Sequence, residues 1–341
     1  ILYIMKKLLV ILGLISSVVV NAQQYTDTPY LQDYAVKFQL RETVKDAKLI
    51  QVRSDRNMAI KVLSADGLLN AYDNELSPDK QYRPLTDMNI IAFDVYRNQF
   101  VYLTDEAVLS NAWGGTFEVE HGLTNPSHFA MGSDFMTVVS SSDIVKLISK
   151  EGKIIWETTA NELRPISIKY DELKNRFILL NANAVYEISL DSPELKKVYS
   201  GANLTAVALF KNDMVLGTNN GIITLSGDNL NEITPNQKLP WTEITSIENI
   251  DGQMWYGSTK GAFKLRDDGK YDYYASKRWL VDDEVIDISK GPDNSVLIAT
   301  KTGLSQINFV PMTLAEKAAY FQKIQRLRYI RYVFTANLKL E

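Results

Sequence analysis

The stretch ITSIENIDGQMWYGSTKGAFKL, residues 244–265, decides the fold. It consists of short β-branched or aromatic runs separated by Gly and Asp turns, a pattern that predicts consecutive strands joined by hairpins. The pattern returns as TAVALFKNDMVLGTNNGIITL at residues 205–225 and as VIDISKGPDNSVLIATKTGLSQI at residues 285–307. We therefore interpret the chain as a series of small, repeated β-sheets.

A small or turn-forming residue marks the same position in each repeat. The marks recur at intervals of 36 to 42 residues and are Gly67, Ala107, Asp143, Ala184, Gly221, Gly261 and Gly303. Units of about 40 residues with three or four short strands are typical of β-propellers. The sequence thus predicts an all-β fold, a seven-bladed β-propeller of four-stranded blades over residues 47–310, in which each blade buries its faces against the next.

The N-terminal 22 residues have the pattern of a secretory signal. Lys6 and Lys7 follow Met5, which we take as the true start, and an apolar run of 13 residues leads to the small residue Ala22. That run is too short to span a bilayer, which favours a cleaved signal over the alternative of a membrane anchor. We expect cleavage after Ala22, a periplasmic or extracellular location, and no stable membrane anchor.

Two segments flank the predicted propeller. Residues 23–46 contain YAVKF at positions 34–38, which we expect to close the ring as the outer strand of the last blade; a disordered leader is the alternative. Residues 311–341 begin with a capping box, Thr313 to Glu316, followed by a Gly- and Pro-free helical segment. We expect a C-terminal α-helix that starts a truncated second domain.

Composition excludes several classes of function. The chain has no Cys and only two His, so neither a thiolate nor a His-rich metal site is expected, and we predict no metal and no cofactor. The net charge of −4 becomes −6 once Lys6 and Lys7 leave with the signal, which argues against nucleic acid as a partner. No nucleotide-binding, zinc-protease or serine-hydrolase motif is present, and we predict no catalytic residue.

The repeat core resembles a known family. WYGSTKG at residues 255–261 is similar to the repeat of the two-component regulator propeller family, and residues 215–221 and 297–303 follow the same pattern less closely. The resemblance implies a ligand-binding sensor propeller outside the cytoplasm. Residues 278–317 also resemble the junction where such a propeller precedes a catalytic domain in larger secreted bacterial proteins.

We expect a binding surface where the blade-to-blade crossovers and the turns between second and third strands meet at one end of the channel. Aromatic, basic and amide groups there would suit an acidic oligosaccharide; the alternative is that each is a polar rim residue. The candidate ligand-binding residues are His128, Arg164, Trp241, Arg278 and Trp279 from crossovers, and Asp105, Asn219, Lys260 and Lys301 from turns.

Two hypotheses of function follow. The first is a secreted, non-catalytic propeller that binds a ligand or acts as a scaffold, serving an attached C-terminal domain in carbohydrate sensing or processing. The second is a polysaccharide lyase or hydrolase with its site in the propeller channel. Asp282, Asp283 and Glu284 beside Trp279 could be a glycosidase carboxylate pair, but neighbours on one loop do not face each other across a scissile bond. A solvated junction between blades is the simpler interpretation, and the first hypothesis is favoured.

Overall fold

The computed structural model describes residues 29–79, 88–227, 230–233, 238–320, 322–323 and 325–326. The predicted signal and the last residues of the predicted second domain lie outside this part of the chain. The chain divides into two compact units, one of residues 33–309 and one made of the described parts of residues 1–32 and 310–341. Within the described residues, no helix is both long and apolar enough to cross a membrane.

Five antiparallel four-stranded sheets follow one another along the chain in a propeller arrangement. Their strands are β6 (Ile90–Tyr96), β7 (Gln99–Thr104), β8 (Ala107–Ser110) and β9 (Phe117–Glu120); β10 (His128–Met131), β11 (Thr137–Ser140), β12 (Ile144–Ile148) and β13 (Ile154–Thr159); β14 (Ser167–Asp171), β15 (Arg176–Asn181), β16 (Ala184–Ser189) and β17 (Lys196–Ser200); β18 (Leu204–Phe210), β19 (Asp213–Thr218), β20 (Gly221–Ser226) and β21 (Asn231–Ile233); and β22 (Ile244–Ile250), β23 (Gln253–Ser258), β24 (Gly261–Leu265) and β25 (Tyr271–Tyr274).

The other described strands form one eight-stranded sheet. They are β1 (Tyr30–Leu40), β2 (Leu49–Ser54), β3 (Ile60–Ser64), β4 (Gly67–Tyr72), β5 (Glu75–Pro78), β26 (Val285–Lys290), β27 (Ser295–Thr300) and β28 (Gly303–Met312). Their order across the sheet is β2-β3-β4-β5-β1-β28-β27-β26. Strand β1, which includes the predicted closing segment at residues 34–38, therefore stands between β5 and β28.

The prediction of seven four-stranded blades is wrong. The structure has five four-stranded sheets, and the strands assigned to the first and last blades belong to one continuous sheet. The physical reason is that β1 runs parallel to β5, with Gln39 opposite Glu75 and Leu40 opposite Leu76, and the amide of Arg41 donates to the carbonyl of Leu76 at 3.0 Å. The repeat spacing in the sequence indicates how many strand-turn-strand units there are, but it does not show that β1 pairs with a strand on each of its two edges.

The first strand of each four-stranded sheet faces a common axis, together with the two edge strands of the eight-stranded sheet. These strands, which we call the inner strands, are β2, β6, β10, β14, β18, β22 and β26, and each contacts the inner strands beside it. All of them run in the same direction along the axis, because every sheet repeats the same antiparallel order. The turns that follow the inner strands therefore lie at one end of the channel, and the crossovers that precede them lie at the other.

The repeated small residue in the sequence has a clear structural role. The hydroxyl at the end of a second strand donates to the carbonyl at the start of the third, as in Ser258 to Gly261 at 2.6 Å and Thr300 to Gly303 at 2.8 Å. Gly261 has a φ of +118°, a conformation that side chains rarely adopt. The hydroxyl and the small residue together close this turn, which explains why both recur with the period of the sheets.

Apolar side chains fill the space between neighbouring sheets. Trp255 is 1% exposed and its ring centroid lies 5.2 Å from that of Tyr274, within a cluster that includes Ile288 and Val296 of the next sheet. A Cβ at Gly257 would lie 2.5 Å from Cγ1 of Val285. Trp255 is thus a packing residue between sheets and not a platform for a ligand.

The described helix, α1, begins after Thr313 and includes residues 314–320, 322–323 and 325–326. The Thr313 amide donates to Oε2 of Glu316 at 2.8 Å, and the Glu316 amide donates to the Thr313 hydroxyl at 3.2 Å. These reciprocal bonds form the predicted capping box.

Candidate functional site

A cavity of about 880 Å³ lies at the end of the channel where the inner strands finish. We call it the channel cavity. Its walls are the last residues of the inner strands and the turns that follow them, including residues 54–56, 95–98, 132–134 and 290–293. A volume of this size can hold a ligand of several linked rings.

Local sequence fixes the turns around the cavity. The Asp55 carboxylate accepts hydrogen bonds from the amides of Asn57 at 2.9 Å and Ala59 at 3.0 Å, which closes the turn after β2. Arg97 and Asn98 both have positive φ, at 45° and 60°, as a tight two-residue hairpin between β6 and β7 requires. Short, hydrogen-bonded turns give the cavity a preformed rim.

Charged and polar residues occupy one register position on the inner strands. Each lies opposite a residue of the strand that follows its inner strand, three positions before that strand ends. The pairs are Arg53 with Lys61, Asp94 with Val101, Lys169 with Ile178, Glu248 with Trp255 and Ser289 with Leu297. We call Arg53, Asp94, Lys169, Glu248 and Ser289 the charged ring. All five line the channel cavity. Met131 and Ala208 hold the same position on β10 and β18.

Three ion pairs hold the ring together. Nε of Arg53 lies 2.7 Å from Oδ1 of Asp94, and its Nη1 lies 2.6 Å from Oδ2 of Asp287, which is two residues before Ser289 on β26. Nζ of Lys169 lies 2.8 Å from Oε2 of Glu248. Lys169 reaches from β14 to β22 past β18, where the small side chain of Ala208 leaves room.

Burial and charge act against each other in the ring. Burial alone would raise the pKa of the Asp94 carboxyl, but the charges of Arg53 and Lys169 outweigh it and hold this pKa below its usual value. Burial likewise opposes the charged form of Lys169, and the Glu248 carboxylate more than compensates, so the pKa of Lys169 is raised. Because Arg53 also interacts with Glu248, these ion pairs form one electrostatic network.

Aromatic residues support one side of the cavity rim. The ring centroids of Tyr96 and Phe135 are 5.1 Å apart, as are those of Trp113 and Phe135, in edge-to-face arrangements. The Arg97 guanidinium lies 4.8 Å from the Phe135 ring centroid. Trp113 therefore packs against the turn that follows β10, and its ring belongs to a cluster beside the cavity.

None of the nine residues predicted as ligand-binding lines the channel cavity. They lie at the opposite end of the channel, which we call the crossover end. Many contact their neighbours there: Trp241 donates to Thr259 at 3.0 Å, Asp105 accepts from Asn89 at 3.3 Å, His128 lies 3.1 Å from the Ser127 hydroxyl, and Lys301 pairs with Glu284 at 3.0 Å. The backbone amides of Arg164 and Asn219 donate to Ser142 and Asn203. The nine residues therefore stay predictions of a second binding surface.

Three of these nine predicted residues, Lys260, Arg278 and Trp279, cluster along the sixth repeat. Trp279 packs on Tyr274 with ring centroids 5.5 Å apart, and the Arg278 guanidinium lies 4.2 Å from the Trp279 ring centroid. The Lys260 carbonyl accepts a short hydrogen bond from the Tyr273 hydroxyl. Trp279 is thus partly a packing residue of the core beneath it.

The acidic run at residues 282–284 is a junction between strands. Asp282 accepts from the Thr302 hydroxyl and from the Glu284 amide, Asp283 accepts from the Ser276 amide at 2.6 Å, and Glu284 pairs with Lys301. These bonds shape the loop before β26 and do not set two carboxylates across a cleft. Among the described residues, no group of three His, Asp or Glu side chains is placed to hold a metal ion.

Sequence reasoning missed the charged ring, although a signal was present. Arg53, Asp94, Lys169 and Glu248 each interrupt an apolar strand, in LIQVRS, IIAFDVY, SIKYD and ITSIENI. A charged residue inside a predicted core strand is the informative exception in a buried pattern. Alignment of the repeats by their turns would have placed all four at one level of the channel.

Comparison with known proteins identifies the fold. No protein-family model matches the sequence, and no curated protein matches it. Among solved structures, a streptogramin B lyase is similar over 83% of this chain and 98% of its own, with 13% identity and a TM-score of 0.63. The extracellular domain of a hybrid two-component system of B. thetaiotaomicron is similar over 81% of this chain, with 12% identity and a TM-score of 0.63, and this chain covers 39% of it.

Further similar structures extend the range of functions on this fold. They include virginiamycin B lyase from Staphylococcus aureus, with 11% identity and a TM-score of 0.62, and the Pan2 WD40 domain of Neurospora crassa, with 10% identity and a TM-score of 0.60. At such low identity the similarity establishes a propeller fold and leaves the function to the site.

Proposed function

We propose that the chain is an extracytoplasmic, non-catalytic propeller that binds a small ligand in the channel cavity, as a sensing or scaffolding module for carbohydrate. The observation that carries this proposal is the charged ring, a set of ionised, partly satisfied groups at one level of a preformed cavity. Similarity to the extracellular domains of two-component systems supports a sensor role. It also supports an extracytoplasmic location, whereas cleavage after Ala22 and an attached C-terminal domain stay predictions from the sequence.

The absence of a suitable acid–base pair in the cavity lining favours binding over catalysis. The described lining contains no His, and His121 and His128 belong to the crossover end. Asp94 and Glu248 are each paired with a cation, and the pKa of Asp94 is lowered, which disfavours Asp94 as a proton donor. Such groups recognise a ligand more readily than they transfer protons to it.

A lyase acting in the channel is the second candidate. The observation in its favour is the fold shared with streptogramin B lyase over nearly the whole of that chain. The two candidates differ in turnover. Incubating the full chain with each ligand that binds and following the products by mass spectrometry separates them, because a binding module returns the ligand intact.

The location of the site is tested with matched variants at the two ends of the channel. Glu172→Lys with Asp293→Lys alters two exposed residues of the cavity lining, and Asp105→Lys with Asn219→Lys alters two turn residues of the crossover end. Titration calorimetry against neutral, acidic and amino oligosaccharides should show binding whose affinity changes at least tenfold in the first variant and less than twofold in the second.

The reverse result would place the ligand at the crossover end. There the sequence predicts an acidic oligosaccharide on Trp241, Lys260, Arg278 and Trp279, and Trp279→Ala should then weaken binding of a uronic-acid oligosaccharide. If no oligosaccharide binds the full chain at millimolar concentration, the carbohydrate role is wrong, and the propeller serves as a scaffold for its attached domain.

A further inference from the structure

The charged ring has hydrogen-bond acceptors that its own partners do not use. Oδ1 of Asp94 accepts from both Arg53 and the Val95 amide, whereas Oδ2 accepts no hydrogen bond from the described residues. Oε2 of Glu248 accepts from Lys169, and Oε1 likewise has no donor in the described part of the chain. Each carboxylate therefore keeps one oxygen for a ligand.

Two buried acceptors in the same lining also lack donors. The Ser289 hydroxyl belongs to a residue that is 6% exposed, and neither this oxygen nor Oδ1 of Asn249 has a hydrogen-bond partner among the described residues. Both residues line the channel cavity. A buried acceptor without a donor costs free energy, which a donating ligand can recover once the side chain rotates toward the cavity.

The charge balance distinguishes between classes of ligand. With Asp287, the ring contains three carboxylates and two cations, and the cavity lining as a whole contains six acidic and five basic residues. An acidic ligand would add to the excess negative charge. A neutral ligand would leave it uncompensated, and a ligand with one positive group would neutralise it.

The donors of the ring define the rest of the ligand. Lys169 uses one of its three N–H groups on Glu248, and Nη2 of Arg53 makes no bond within the described chain. These groups need acceptors next to the ammonium, such as hydroxyl or ring oxygens. Tyr96 and Tyr170 in the lining offer flat apolar surface for a sugar ring.

We propose that the channel cavity recognises an amino sugar, whose ammonium group is held by the free oxygens of Asp94 and Glu248 together with Ser289. Its hydroxyls accept from Arg53 and Lys169. This inference rests on the proposed function and names the class of ligand for the same site.

The test compares oligosaccharides that differ in one group. Titration calorimetry of the full chain at pH 6 uses a glucosamine oligomer, the N-acetylglucosamine oligomer of equal length, and a galacturonic acid oligomer. Acetylation replaces the ammonium group with a neutral amide that keeps one N–H donor and adds a carbonyl and a methyl group. Because the positive charge is lost, we expect the glucosamine oligomer to bind at least tenfold more tightly than the acetylated one. The preference should shrink as salt is raised.

Variants locate the preference in the ring. Glu248→Gln should reduce the preference to less than threefold, and Asp105→Asn at the crossover end should leave it unchanged. Ser289→Ala removes an oxygen without a partner, so it should fold normally while it weakens glucosamine binding about threefold and leaves the acetylated ligand unaffected. The Ser289→Ala variant therefore tests whether the ring causes the preference for glucosamine even if the Glu248→Gln variant does not fold.

The outcomes separate this inference from the proposed function. Equal binding of the acetylated oligomer, tighter binding of the acidic one, or a preference that Ser289→Ala leaves unaltered overturns the amino-sugar assignment. In the first two cases the channel cavity can still be the binding site, as the cavity variants above would show. If none of the three oligomers binds, both the assignment and the proposed carbohydrate role are wrong.

Discussion

The two ends of the channel are built from the same strands and differ in what their charges do. At the cavity end, Arg53 and Lys169 are mostly buried and bound to carboxylates of other inner strands. At the crossover end, charged residues such as Lys301 are exposed and pair with a partner in the adjacent loop. A charge taken out of water is costly unless it is paired, so the buried charges at the cavity end are held in ion pairs, whereas those at the crossover end lie in solvated loops.

The largest expected effect comes from breaking the charged ring. Arg53→Met should lower the free energy of unfolding by about 3–5 kcal/mol, because the largely buried Asp287 and the partly exposed Asp94 both lose their cation. Arg164→Met at the crossover end is the matched control and should cost less than about 0.5 kcal/mol, since its side chain is exposed. Urea denaturation measures both. Equal effects would show that the two ends do not differ.

The sequence reveals features that depend on local patterns, but not those that depend on contacts between residues far apart in the chain. The period of the turns and the apolar runs predicted a propeller, because each repeat must bury its sheet faces and so carries a local pattern. The pairing of β1 with both β5 and β28 is not local, and the sequence therefore gave the wrong division into blades. The charged ring is also non-local: Arg53 and Asp287 are 234 residues apart in the chain, yet their atoms meet at 2.6 Å.

The sequence directed attention to the crossover end for a related reason, and the nine candidate residues there stay predictions. Residues such as Trp241 and Arg278 stand out in loops, where aromatic and basic groups suggest binding. A charged residue within an apolar strand, such as Lys169 in SIKYD, is less conspicuous, and its importance depends on what the other inner strands present at the same level. Loop composition indicates exposure, whereas register across the repeats indicates convergence.

Two glycines on either side of β23, one in the turn before it and one at the start of β24, allow the turns at the two ends of the channel to be compared. Gly252, at the cavity end, has a φ of +81° and open space where a Cβ would lie, whereas a Cβ at Gly261 would lie 2.5 Å from the Tyr274 carbonyl oxygen. Gly252→Ala should cost about 1–2 kcal/mol through backbone strain alone. Gly261→Ala should cost about 1–3 kcal/mol more because the outer strand must shift.

Differential scanning calorimetry of both variants, with Lys260→Ala as a neutral control, checks this pair. A loss for Gly252→Ala equal to that for Gly261→Ala would mean that strain alone sets the cost. The crossover end would then be no more tightly packed at this turn than the cavity end.

As the pH falls, the crossover end should lose stabilising interactions before the cavity end does. Burial lowers the pKa values of His121 and His128, so their stabilising contribution is present above the unfolded value of about 6.5 and is lost as the pH falls below it. The depressed pKa of Asp94 means that its contribution is lost only as the pH falls below about 3.9. Unfolding free energy against pH should therefore fall in two stages.

Variants assign each stage to one end. His121→Asn with His128→Gln should remove the dependence that begins near neutral pH, and Asp94→Asn should reduce the one in strong acid. If the histidine variant left the first stage unchanged, the acid sensitivity would have to come from elsewhere in the chain, and the two-stage comparison would fail.

The smallest effect comes from two exposed lysines that form the same kind of ion pair at opposite ends. Lys290 lies 2.6 Å from Asp251 in the cavity lining, and Lys301 lies 3.0 Å from Glu284 at the crossover end. Neither Lys290→Ala nor Lys301→Ala should shift Tm measurably, because solvent screens such pairs. With a glucosamine oligomer, Lys290→Ala should tighten binding about twofold, since it removes a positive charge near the ligand's ammonium group, and Lys301→Ala should have no effect. Weaker binding in Lys290→Ala would mean that the ligand meets the cavity with a negative group, and an effect of Lys301→Ala alone would move recognition to the crossover end.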